Sequence, residues 1–226
     1  MDWVWNNFPE IWGYILDHLG LSVPPIIIGF VVSIPLGYWA SRSRVARSII
    51  LSLFSILYTL PSLVLFVLVP VAIGAPILDP KNVVIALTIY AIAIMVRSST
   101  DAFVSVSSDV RESARAVGFS AGQRFWRIEL PLAGPVLLAG VRIVSVSTVS
   151  LATVGTFIGI PSLGNLFTDA FQRQFPLEAW TGIVCVLLIA LVFDIILTSI
   201  AAIVMPWNRR ISPRRQARRA AKAVTA

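Results

Sequence analysis

The sequence predicts an all-α membrane protein with about five transmembrane helices. Of its 226 residues, 57% are hydrophobic and only 13% are charged, whereas soluble domains average about a quarter charged residues. Several apolar stretches approach the roughly 20 residues that a membrane-spanning helix needs. These stretches are apolar all round, and a soluble helix keeps a polar face. Since only helices or closed barrels satisfy the backbone within hydrocarbon, we interpret them as spans.

The predicted spans form one transmembrane domain, residues 19–207, with a segment at each end. They cover residues 19–41, 49–73, 82–104, 131–160 and 179–207. The third span continues past Arg97 to reach the usual length. Residues 1–18 have no basic residue before their apolar part, so they lack the pattern of a cleavable signal peptide. We expect an external interfacial segment there, with His18 as an interfacial side chain, because the segment is rich in aromatic residues: Trp3, Trp5, Phe8, Trp12 and Tyr14.

The arginine distribution predicts the orientation in a bacterial plasma membrane. One set of connections carries only Lys81 and Arg173, and the other carries Arg42, Arg44, Arg47, Arg111, Arg115, Arg124, Arg127 and the basic tail, residues 208–226. Basic residues are retained on the cytoplasmic side, so we expect an external N-terminus and a cytoplasmic C-terminus. The net charge of +7 then reflects topology. We expect the tail to meet anionic headgroups of membrane lipids and not nucleic acid.

The longest polar connection lies between the third and fourth spans and predicts two short helices, within a loop at residues 105–130. Asp109 can cap the first helix, with Glu112 at its third position, and Gly118 provides a left-handed stop. One side of this helix is lined by Val110, Ala114 and Val117. Ser120 and Gln123 have the spacing of a capping box for a second helix. We expect that helix to end near Pro131, where the fourth span begins.

The fixed points of this connection resemble a known motif. They are Glu112, Ser113 and Ala114, then Gly118 after three residues, Ile128 after nine, and Leu130 and Pro131 after one more. The spacing matches the EAA loop of permeases from binding-protein-dependent ABC importers, except that Ser113 stands where the family usually has alanine. The resemblance implies a type I ABC importer permease fold. It also implies a cytoplasmic coupling helix that docks on an ATPase through the seven residues Glu112, Ser113, Ala114, Gly118, Ile128, Leu130 and Pro131.

The partners implied by the resemblance are a cytoplasmic ABC ATPase dimer, a second permease subunit of the same or a homologous chain, and an extracytoplasmic solute-binding protein. The chain has no GxxxxGK[ST] loop. We therefore expect no cofactor in this chain, with ATP and Mg bound by the partner ATPase. The chain has no HExxH motif, and we predict no metal site, no catalytic residue and no enzyme. A membrane-embedded enzyme and a recruiting scaffold are the alternatives, and loss of transport on changing Gly118 or Glu112 would argue against a scaffold.

Hydroxyl side chains and one proline are candidates for the translocation pathway. The fourth span places several small hydroxyl residues at membrane depth, where they suit either a polar seam or close packing within one subunit. Pro61 should kink or break the second span, which is tolerated mainly where protein or a cavity covers the break. The candidate pathway residues are Tyr58, Thr59, Pro61, Ser147, Thr148 and Thr153.

Asp194 is an ionisable residue in the apolar fifth span and should have a buried partner. Arg97 and Arg142 are the candidates by charge, and a structural ion pair is at least as well supported as a transport role. The single Cys185 excludes a disulfide within the chain.

The wider pattern resembles the osmoprotectant branch of these permeases, which serve importers of glycine betaine, choline or carnitine. The resemblance covers residues 15–207 and includes HLGLSVPPIIIGF, YTLPSL and TFIGIPSLGNLF. It departs at Pro161 and Ser162, where the branch has a more glycine-rich turn. The alternative is a permease of a methionine-type amino-acid importer, which has a similar length and number of spans.

Overall fold

Ten α-helices make up most of residues 2–208, the part of the chain that the computed structural model describes, and no β-strand occurs in that range. The helices are α1 (Asp2–Asn6), α2 (Phe8–Arg42), α3 (Arg44–Thr59), α4 (Ser62–Ile73), α5 (Pro80–Val104), α6 (Ser108–Ala116), α7 (Ala121–Arg124), α8 (Leu130–Ala152), α9 (Asn165–Arg173) and α10 (Pro176–Val204). A π-helical turn, Phe125–Glu129, joins α7 to α8, and a 3-10 turn, Thr153–Ile158, follows α8.

Four helical segments are long and apolar enough to cross a membrane: α2, α5, the segment Ala121–Ile158 that contains α8, and α10. The helices α3 and α4 form a fifth candidate, because together they satisfy the same criteria across a bend of 102°. The prediction of an all-α membrane protein with about five spans is therefore confirmed.

The first span begins earlier than its apolar run suggests. Helix α2 has 35 residues and starts at Phe8, so the predicted boundary at residue 18 lies inside a continuous helix. At 1.5 Å per residue it is about 52 Å long, well beyond a hydrocarbon core of about 30 Å. His18 is fully buried within the protein. The expectation that it is an interfacial side chain is wrong, because neighbouring helices cover this face of α2.

Helix α5 lies at the centre of the molecule, and small residues let other helices approach it closely. A Cβ atom built on Gly29 of α2 would lie 2.6 Å from the Cβ of Ala91, and one on Gly37 would collide with Ser99. Gly140 of α8 meets α5 in the same way. Van der Waals packing of this kind drives helix association in membranes, where hydrocarbon solvates apolar side chains equally well.

The predicted basic tail lies outside the described residues, apart from Asn208.

Candidate coupling and translocation site

The coupling segment, residues 107–131, begins with α6. Its N-cap is Ser107, whose Oγ accepts a hydrogen bond from the Asp109 backbone N–H at 3.2 Å. The predicted cap at Asp109 is wrong because Ser107 already satisfies a free N–H of the first turn. Gly118 has φ of +92°, and its N–H donates to the Arg115 carbonyl at 2.9 Å. The predicted left-handed stop after α6 is confirmed.

A second helical start follows at once. The Gln123 N–H donates to the Ser120 Oγ at 3.3 Å, and the Ser120 N–H donates to the Gln123 side chain at 2.9 Å. The predicted capping box is confirmed. The predicted end near Pro131 is wrong, because the chain continues through the π-helical turn into α8 without a break. The turn is wider than an α-turn, and the Leu130 N–H donates to the Phe125 carbonyl five residues back.

The outer face of the coupling segment is a shallow concavity with an apolar rim. Ala114 is buried in it, while Val117 is 77% exposed. The concavity is lined by Asp109, Val110, Ser113, Ala114, Val117, Phe119 and Ile128. A small side chain at the floor with larger apolar side chains around it suits a surface that receives another protein. Of the motif residues, Ser113, Ala114 and Ile128 line this concavity.

The remaining motif residues lie elsewhere. Glu112 and Gly118 are exposed. Leu130 and Pro131 line a different, apolar groove between α2, α8 and α10. The motif therefore divides into residues that form an outer surface and residues that begin the fourth span.

The sequence interpretation missed Glu129. This carboxylate is 0% exposed, and both of its oxygens accept from the Arg42 Nη2 at 2.8 Å. It also accepts from the Arg124 Nε at 3.0 Å. The Arg42 guanidinium lies 4.3 Å from the centre of the Tyr38 ring, within range of a cation–π contact. These charge-assisted contacts join the end of α2 to the coupling segment, and the signal in the sequence was an acidic residue just after Arg127 at the edge of a span.

The predicted interruption at Pro61 is confirmed. Leu60 and Pro61 have ψ of 135°, so the backbone is extended between α3 and α4. The residue before a proline is disfavoured in the α region, which explains why α3 ends at Thr59. The Leu60 carbonyl accepts a hydrogen bond from the Tyr90 hydroxyl of α5.

The candidate pathway residues differ in their exposure. Tyr58 is 51% exposed, and Thr59 and Pro61 are also exposed beside the break. In the fourth span, Ser147 and Thr153 are half-buried. Thr148 is buried, at 2% exposure, which favours the packing interpretation at that position.

Asp194 pairs with Arg142 and not with Arg97. The Arg142 Nη2 donates to the Asp194 Oδ2 at 2.9 Å, and its Nε bonds the other carboxylate oxygen. Arg97 instead donates to the Ser55 Oγ at 3.0 Å. The ion pair joins α8 to α10.

The turn that follows the 3-10 segment is fixed by polar side chains. Gly159 has φ of +85°. The Ser162 and Thr156 hydroxyls are 2.9 Å apart, and the Asn165 Oδ1 accepts from the Ser162 N–H at 3.0 Å. This network stabilises the turn at the point where the sequence departs from the glycine-rich pattern.

A comparison with protein families decides the class of this molecule. Residues 29–210 match the model of the family described as binding-protein-dependent transport system inner membrane component. The chain belongs to this family. It is thus a multi-pass inner-membrane component of a transport system that depends on a binding protein, and its relatives are transport permeases and not enzymes.

Two curated relatives of this inner-membrane component come from Bacillus subtilis (strain 168). The choline transport system permease protein OpuBB is 29% identical over 183 residues, 80% of this chain and 82% of the relative. The glycine betaine/carnitine/choline transport system permease protein OpuCB is 27% identical over the same shares of the two chains. The osmoprotectant resemblance inferred from the sequence is therefore confirmed.

A solved structure shares the fold of the inner-membrane component. An inward-facing conformation of the MetNI methionine ABC transporter has a TM-score of 0.76 with 19% identity, covering 87% of this chain and 98% of the solved chain. A likeness at this identity shows the fold alone, the type I ABC importer permease fold that the motif implied.

Proposed function

We propose that this chain is the permease subunit of an ATP-driven importer for small quaternary-ammonium osmoprotectants such as glycine betaine, choline or carnitine. The observation that carries the substrate class is the similarity to a choline permease and a glycine betaine/carnitine/choline permease over 80% of the chain. The likeness to a methionine transporter is one of fold, at 19% identity, and it does not favour the amino-acid alternative.

In this proposal the coupling segment receives a cytoplasmic ABC ATPase dimer, which binds ATP and Mg and hydrolyses the ATP. The concavity around Ala114 supports this role, because it offers a small floor and an exposed apolar rim to a partner. Displacement of α6 passes through the turn at Gly118 to α7, and from α7 it reaches the membrane along the unbroken helical path into α8. The Glu129–Arg42 contact moves the end of α2 together with it.

The translocation pathway would form between this chain and a second permease subunit, the same or homologous. Tyr58, Thr59 and Pro61 are exposed and free to face it, and Ser147 and Thr153 are half-buried hydroxyl contributors. These side chains carry no charge, which suits a bulky cation or zwitterion that must not be trapped. Selectivity would come from an extracytoplasmic binding protein, because clustered aromatic faces recognise quaternary ammonium groups.

The proposed orientation places the N-terminus outside and both the coupling segment and the C-terminus in the cytoplasm. Its support is the concentration of arginine on one set of connections. In a Cys185→Ala background, single cysteines at Ser43, Ser120 and Thr225 should be shielded from an impermeant thiol reagent in intact cells. Labelling of all three from outside would reverse the orientation.

The substrate proposal is tested by uptake in cells that express the complete transporter with and without this subunit. Labelled glycine betaine, choline, carnitine and methionine are supplied separately. We expect uptake of at least one of the first three to depend on the subunit. Dependence of methionine uptake alone would overturn the osmoprotectant proposal and leave the family membership intact.

A further inference from the structure

An apolar groove of about 480 Å³ lies between α2, α8 and α10, beside the start of α8. Every side chain that lines it is apolar, including Phe30, Leu137, Val204, Met205 and Trp207. Its volume is within the range of about 300–1,000 Å³ that is typical of ligand sites. Because all three helices are membrane spans, the groove opens into the bilayer.

The start of α8 contacts the residue that follows α10. A Cβ atom built on Gly134 would lie 2.5 Å from the Met205 Sδ, so the Met205 side chain packs directly on this glycine. The outer wall of the groove remains accessible: Ile27, Ile200 and Val204 line the groove and are exposed. We call this groove, which is open along that wall, the slot.

One end of the slot has the character of a headgroup site. Trp207 lines that end and is exposed, and tryptophan favours the headgroup layer. Exposed Arg127 lies one turn before Leu130 and Pro131, which line the slot.

Glu129, close to Arg127 in the sequence, does not neutralise the positive charge of Arg127. Glu129 is buried and already paired with Arg42 and Arg124. An acyl chain gains little by leaving lipid for an apolar slot, since the two environments are equally apolar. Selectivity for one lipid must therefore come from its headgroup, and the exposed Arg127 favours an anionic headgroup.

We propose that the slot binds one acyl chain of an anionic phospholipid, with the phosphate beside Arg127 and Trp207. Apart from Leu130 and Pro131 of the motif, no residue that lines the slot belongs to the coupling surface or to the candidate pathway residues. The proposed site makes the lipid a specific ligand of the permease at the point where α8 begins.

The test uses the complete transporter purified through this chain and reconstituted with equal amounts of phosphatidylglycerol and phosphatidylcholine. Native mass spectrometry of the released complex measures the lipid retained. We expect the wild type and Ile203→Trp to retain phosphatidylglycerol, because Ile203 does not line the slot although it is 78% exposed on the same helix. Val204→Trp fills the slot and should lower retention at least five-fold.

A second pair of variants tests the charge of the site separately from the shape of the slot. Arg127→Gln should retain lipid but lose the preference for phosphatidylglycerol, whereas Arg44→Gln, at an exposed arginine of α3, should keep it. Equal retention of both lipids by the wild type would overturn the anionic headgroup. Equal retention by Val204→Trp and Ile203→Trp would overturn the slot.

A third measurement needs no variant. Phosphatidylglycerol with a photoactivatable acyl chain is crosslinked to the wild-type complex, and the labelled peptides are identified. We expect adducts on residues 130–141 and 197–207. If these peptides remain unlabelled and a cysteine at Val204 instead crosslinks to another subunit, a protein helix covers the groove and the lipid proposal is wrong.

Discussion

Two prolines at the ends of helices have opposite effects in this molecule. At Pro61 the backbone becomes extended and the axes of α3 and α4 diverge by 102°. At Pro131 the helix continues, and Leu130 before it keeps helical angles, φ −63° and ψ −46°. Both prolines lack an N–H, and within a helix each would crowd the carbonyl four residues back. The π-helical turn before Pro131 widens the helix and relieves that crowding.

The two prolines therefore lie in segments with different mechanical properties. At Pro61, two short helices are joined by extended residues. The Leu60 carbonyl there accepts a hydrogen bond from the Tyr90 hydroxyl of α5. The turn before Pro131 preserves one continuous segment, and the buried Glu129 fixes it to α2. A proline therefore marks a possible break, and the residues around it decide whether the break occurs.

The largest effect is expected at Glu129. Glu129→Leu leaves Arg42 and Arg124 without their carboxylate, and breaking a buried pair costs about 3 kcal/mol or more. The protein should lose most of its abundance in the membrane, measured by immunoblot, together with its thermal stability in detergent. Asp101→Leu is the matched control. It breaks the exposed pair with Arg47, which contributes at most about 1 kcal/mol. Equal losses in both variants would refute the role of burial.

Next in size is the effect of Gly118→Val. A β-branched residue is strained at φ of +92°, so the turn after α6 should shift and uptake should collapse at normal abundance. Gly74→Val is the control, because Gly74 also has positive φ, +68°, and open space around it, but lies at the end of α4. Uptake per molecule should be retained there. Full transport by Gly118→Val would remove the coupling assignment.

A smaller effect is expected at the break itself. Pro61→Ala restores an N–H and lets Leu60 adopt helical angles, so α3 and α4 should straighten in part and uptake should fall several-fold. Spin labels at Ser52 and Val71, in a Cys185→Ala background, report the change. A continuous helix would separate these positions by about 28 Å, and the bend keeps them closer.

Pro24→Ala is the matched control for that experiment, since Pro24 lies within the continuous helix α2. The distance between the labels should not change in this variant. An unchanged distance in Pro61→Ala as well would show that tertiary packing, and not the proline, imposes the bend.

The smallest effect is expected from Tyr90→Phe. It removes the donor to the Leu60 carbonyl, and the loss of one such bond costs about 1 kcal/mol. The thermal unfolding midpoint in detergent should fall by a few degrees. Tyr58→Phe, at an exposed tyrosine, should leave it unchanged. A larger loss in Tyr58→Phe would contradict the assignment of Tyr90 as the group that satisfies the break.

Local patterns predicted the features that depend on local chemistry. Apolar runs located the spans, and the spacing of Ser120 and Gln123 identified a capping box that forms as expected. Gly118 was identified because a left-handed stop after a helix favours glycine. The Asp109 cap failed because the nearby Ser107 can also cap a helix, and sequence alone does not rank the two residues.

The features that the sequence did not predict depend on tertiary contacts. The start of α2 at Phe8 was missed, because its first turns are amphipathic and their apolar side packs on other helices. His18 is buried for the same reason. The pairing of Glu129 with Arg42 spans 87 positions, and the choice of Arg142 over Arg97 for Asp194 depends on which helices are neighbours.

The continuous segment Ala121–Ile158 has 38 residues and is about 57 Å long at 1.5 Å per residue, enough to cross the whole bilayer. A stiff rod held in this way tilts as one body, so its two ends move in opposite directions. For an importer this has a consequence for ion leakage. If this segment lines the proposed pathway, we expect a tilt that opens one mouth to narrow the other in the same motion, which would limit ion leakage without a separate latch.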